Sequence, residues 1–89
     1  MKLCDVVRTC IACPSQWDAM TEDNHSVYIR YRWGNISMLV CPEIGKREYT
    51  GSDGYGVWVT ILDEQTDDDL DGFMNDEEMM AIADKIKYP

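Results

Sequence analysis

What most constrains this 89-residue chain is a pair of alternating stretches joined by a two-residue turn signal. In 27–33, Val27, Ile29, Tyr31 and Trp33 share one face of an extended strand, and Tyr28, Arg30 and Arg32 share the other, because strand side chains alternate with a period of two. Gly34-Asn35 follows, and glycine in first place suits a type II′ turn, whose twist matches antiparallel strands. Residues 36–41 return as the partner strand. The reading is an antiparallel hairpin with one apolar and one mixed face.

The rest of the chain builds around that hairpin. Residues 3–12, with Val6, Val7, Thr9 and Ile11, read as a first strand that Pro14 ends. Ser15 to Ala19 reads as a turn whose Trp17 caps one end of the core, and Thr21 to His25 as a polar turn. Between 42 and 56, Gly45, Gly51, Gly54 and Gly56 punctuate a long loop, which lacks the spacing of a phosphate loop. Residues 57–62 alternate as a last strand, with Val57, Val59 and Ile61 opposing Trp58, Thr60 and Leu62. In 76–87, Met79, Ile82, Ala83 and Ile86 recur at helical spacing and form an apolar stripe for the sheet, while Lys85 and Lys87 suit the negative end of the helix. A chain this short holds one core, so residues 1–89 are expected to form a single α+β domain. Its architecture is a small antiparallel sheet of about four strands with one C-terminal helix packed on it.

Ahead of that helix stands Asp67-Asp68-Asp69-Leu70-Asp71-Gly72-Phe73-Met74-Asn75-Asp76-Glu77-Glu78. A hard divalent cation takes about six to eight oxygens at about 2.3–2.6 Å, which a tightly curled loop can supply. By position, Asp67, Asp69 and Asp71 offer side-chain oxygens, Phe73 its carbonyl, Asn75 a direct or water-mediated contact, and Glu78 both carboxylate oxygens, with Gly72 at the bend. The segment resembles an EF-hand calcium loop. A second reading claims the same residues: Asp71-Gly72 is a turn dipeptide, Asn75 an N-cap, and Glu78 its capping-box partner. Against an EF-hand, residues 57–62 alternate like a strand where an entering helix belongs, and there is no second loop to pair with; calcium stands as a candidate cofactor beside the capping reading.

Charge narrows the partners. With 8 basic and 17 acidic residues, net −9, the chain is not expected to bind a nucleic-acid backbone or an anionic membrane surface. A basic partner suits it, and an acidic mimic of nucleic acid that blocks a DNA-binding enzyme is the weaker alternative. The start, Met1 to Arg8, is too short and charged for a signal peptide, and no apolar run spans a membrane, so a cytoplasmic protein is expected. Free thiols are then expected at Cys4, Cys10, Cys13 and Cys41. Cys10 and Cys13 have the spacing of zinc ligands, with Cys4 and Cys41 as isolated candidates to complete a tetrahedron. The lone histidine, His25, falls in a polar turn with no orienting group, so no enzymatic activity is expected.

One further resemblance rests on residues 13–19, Cys-Pro-Ser-Gln-Trp-Asp-Ala, followed by Tyr28-Ile29-Arg30-Tyr31-Arg32. This part is similar to small uncharacterised proteins of actinobacterial phages and their hosts. The resemblance implies an accessory role and carries no catalytic residues. With the charge, it leads to the expectation of a non-catalytic protein that binds a host or phage protein, as a monomer or homodimer. Trp17, Tyr28, Arg30 and Arg32 are the candidate contact residues, Trp17 having core packing as its alternative.

Overall fold

Consecutive strands among the described residues pair antiparallel. A computed structural model describes residues 1–10, 15–32, 34–46, 58–65 and 74–87. The elements are β1 (Leu3–Cys10), β2 (Ser15–Thr21), β3 (His25–Arg32), β4 (Asn35–Ile44), β5 (Val59–Gln65) and α1 (Asp76–Asp84). They form a five-stranded meander, ordered β1 to β5, and α1 returns to pack on one face. Among the described residues the sheet therefore has five strands, where about four were expected. Among the described residues, no helix is long and apolar enough to cross a membrane.

The predicted hairpin is β3 and β4, which extend beyond 27–33 and 36–41. Val27, Ile29 and Tyr31 are buried, as are Ile36, Met38 and Val40 across from them. The turn differs by one residue. Arg32 pairs with Asn35, so Asn35 belongs to the strand, and Gly34, at φ 76°, occupies the second central position rather than the first. Between β2 and β3, Asn24 adopts φ 66° and donates to the Thr21 carbonyl at 3.1 Å, which closes the expected polar turn.

The additional strand is β2, where a turn was expected. Ser15, Trp17, Ala19 and Thr21 point inward and alternate with Gln16, Asp18 and Met20. Two of the four inward residues are hydroxylic and one is small, so the segment lacks the apolar alternation of a strand. Strand β1 hides its pattern differently. Cys4 pairs with Met20 and Val7 with Asp18, so two residues of β1 stand against one of β2. Asp5 is the extra residue, at φ 50°, a left-handed conformation that aspartate tolerates better than most residues. Past this bulge Val6 packs on the core, Val7 is exposed, and Arg8 pairs with Trp17 on the core face.

A similar slip alters β5. Leu62 pairs with Met38 but Thr60 with Leu39, so Ile61 is extra, and Ile61 and Leu62 both pack against the core instead of opposing one another. The helix keeps its stripe, with Met79 and Ala83 buried and Ile82 and Ile86 packed beside them. It stops at Asp84, however, and Lys85 is its C-cap. Beside it the Met1 ammonium donates to the carbonyls of Ala83, at 3.1 Å, and Ile86, which adds a second positive group at the helix's negative end.

Candidate functional site

The described part of the acidic segment begins at Met74 and shows how the helix start is built. Asn75 has extended backbone angles, φ −79° and ψ 165°, which suit an N-cap. Its side-chain oxygen accepts from the Glu78 amide at 2.8 Å, and the Glu78 carboxylate accepts from the Asn75 amide at 3.3 Å. The two residues thus form a reciprocal capping box. Asp67, Asp69, Asp71 and Phe73, the other candidate calcium ligands, lie outside the described residues.

Next to the cap is a polar joint that ties the helix start to the sheet. Asp76 Oδ1 accepts from Trp17 Nε1 at 2.8 Å and from Arg8 Nη2 and Nε at 2.9 and 3.1 Å. The Arg8 guanidinium lies over the Trp17 ring, 4.6 Å from its centroid, and also donates to the Met74 carbonyl and Ser15 Oγ. Ser15 Oγ in turn accepts from the Met74 amide at 3.0 Å. The Trp17 and Arg8 donors hold the Asp76 carboxyl below its ordinary value. Trp17 is 0% exposed, so in the folded chain it is a core and joint residue rather than the partner anchor it was a candidate for. Residue type alone does not single out Arg8, Ser15 and Asp76. The available signal is indirect, since a buried indole N–H and an arginine in an apolar strand each need an acceptor.

The other three contact candidates sit together on the sheet face away from the helix. Tyr28 pairs with Asp18 and Leu39, and Arg30 with Gln16 and Ser37. Tyr28, Arg30, Met20 and Leu39 are half-buried, whereas Arg32 is exposed. Arg30 Nε is buried without a hydrogen-bond partner, which none of the other described side chains shows. Toward β1 this face opens into a groove of about 960 Å³ lined by Asp5, Val7, Asp18, Met20, Ser26 and Lys46. A smaller acidic groove, about 530 Å³, runs between Val6 and Asp76, Glu77, Met80 and Asp84 of the helix.

The cysteines are not brought together where they can be seen. Cys4 lies on β1 and the buried Cys41 on β4, with β2 and β3 between them, and both thiols are free. At about 4.8 Å per strand that separation is about 14 Å, beyond the reach of one zinc ion. Cys13 lies outside the described residues. No cluster of three His, Cys, Asp or Glu side chains is placed to hold a metal among the described residues. His25 Nδ1–H donates to the Cys41 carbonyl at 2.9 Å, a structural contact between β3 and β4. No protein-family model, no curated protein and no solved structure matches the chain.

Proposed function

We propose that this chain is a small acidic accessory protein of phage type whose work is to bind another protein, without catalysis. The contact surface is the sheet face opposite the helix, where Tyr28 and Arg30 stand among Met20, Leu39 and Asp18. The observation that carries this reading is Arg30. Its Nε–H is removed from water with no acceptor, a state that costs about 1–3 kcal/mol, and a rotation of the half-buried side chain toward an acceptor on a partner relieves it. Half-exposed apolar and aromatic neighbours add area to bury. Among the described residues no element packs on this face, because α1 has β1 as its sole close backbone neighbour and its buried residues join the core on the other side.

The test is affinity capture from an actinobacterial lysate at micromolar bait, with wild type beside Tyr28→Ser and Arg30→Met. The expected result is a protein retained by wild type and lost from both variants, whose folds are unchanged because neither residue serves the core. Recovery of bait alone, or retention indifferent to both substitutions, overturns the proposal.

A further inference from the structure

We propose that the β5 edge, residues 59–64, accepts an extended basic segment of the partner as a sixth strand; this rests on the protein-binding reading above. Among the described residues β5 pairs with β4 and contacts no other element, so its outer side presents main-chain donors and acceptors in a row. An incoming strand gains main-chain hydrogen bonds there, and side-chain pairs across the new ladder set its identity. Proteins blunt such edges with lysine, proline, bulges or other charges; β5, Val-Thr-Ile-Leu-Asp-Glu-Gln, has no lysine or proline, one bulge at Ile61, and acidic charges only, which turn away acidic strands and leave the edge to basic ones.

The side chains state which strand fits. Val59 is 42% exposed, so the start of β5 is apolar. At its other end Asp63 and Glu64 are exposed on opposite faces: Asp63 shares the outer face with Asn35, from which it accepts at 3.0 Å, and Glu64 stands across from the core residue Ile36. An added strand therefore meets a carboxylate on either side of the sheet, and lysine or arginine opposite them is favoured while acid is repelled. A second copy of the chain is disfavoured by the same terms, since each copy carries net −9. Asp63 also joins this edge to the face that holds Arg30, through Ser37, which pairs with both.

The experiment measures binding of three short synthetic peptides to the full chain by fluorescence anisotropy. One alternates valine and lysine, one has glutamate for each lysine, and one is the lysine peptide with every second amide N-methylated. The lysine peptide is expected to bind about tenfold tighter than the glutamate peptide, and N-methylation to abolish binding. Hydrogen exchange is expected to slow at 59–64 when the lysine peptide is bound. The double variant Asp63→Asn, Glu64→Gln is expected to weaken binding about fivefold with its melting temperature unchanged. Equal binding of the N-methylated peptide, which would mark bulk charge attraction, overturns the proposal. So does no binding of any peptide, or sedimentation showing that a second copy covers β5. A partner captured as strongly by the double variant as by wild type removes this edge but leaves the protein-binding reading standing; capture of nothing removes that reading itself.

Discussion

The two edges of the sheet are finished in opposite ways. β1 carries two irregularities, at Asp5 and between Arg8 and Cys10, and lies beside the helix, to which Arg8 is bonded through Asp76. β5 carries one bulge and, among the described residues, nothing beyond it. An edge kinked twice and bonded to a helix is closed to another strand, while one with a single bulge and no described neighbour beyond it is the edge proposed above to take a basic one. The contrast separates two uses of charge in one small molecule. At β1 the Asp76 carboxylate is engaged by three protein donors and holds the fold, whereas at β5 Asp63 and Glu64 are exposed, Asp63 with one bond from Asn35, and in the proposal above they select the incoming strand.

If the β1 side holds the fold, its central residue should matter most. Trp17→Ala empties a fully buried site and strips Asp76 and Arg8 of a partner, so a loss of about 3–5 kcal/mol is expected in urea unfolding. A loss under about 1 kcal/mol would break the contrast between the edges. Arg8→Met keeps the aliphatic stem over the ring but removes the donors, and is expected to cost about 1–2 kcal/mol, the lower part of the range because Asp76 is largely exposed.

The pH dependence sharpens the point. Asp76 is held below its ordinary value when folded, so its contribution is complete above the unfolded value, about 4, and is lost as pH falls through the depressed folded value. Asp76→Asn should therefore flatten the acid side of the stability curve below about pH 4 relative to wild type, by thermal unfolding at stepped pH. Glu78→Gln comes next. As a capping-box residue it is expected to lose about 0.5–1 kcal/mol, equally in calcium and in chelator. A larger loss in calcium would show that residues 67–78 close on an ion. The smallest effect belongs to β5, where Asp63→Asn and Glu64→Gln should each change stability by less than about 0.5 kcal/mol.

How far the sequence told this in advance depends on how local each signal is. The β3–β4 pair and the helix stripe were legible because Ile29, Tyr31, Met38, Met79 and Ala83 repeat at the period of their own element. β2 was not, because Ser15 is buried by virtue of a hydroxyl that serves Met74 and Arg8, and no alternation of apolar residues announces it. The bulges escaped for a related reason, since one extra residue puts the following side chains out of phase with the apparent pattern. The capping box was legible from Asn75 and Glu78, which lie three positions apart. The joint beside it was not: Asp76 reaches Trp17 and Arg8 across 59 and 68 positions, and no short-range rule connects them.

Asp5 has a consequence for how this chain tolerates change in length. Leu3, Val6 and Arg8 already look toward the core and Cys4 and Val7 away from it, so the strand would alternate regularly if Asp5 were absent. Within a β-strand the loss of one residue ordinarily inverts every side chain beyond it. Here the bulge has absorbed that inversion in advance, and the first strand can be shortened by one residue at this point without turning Arg8 away from Asp76.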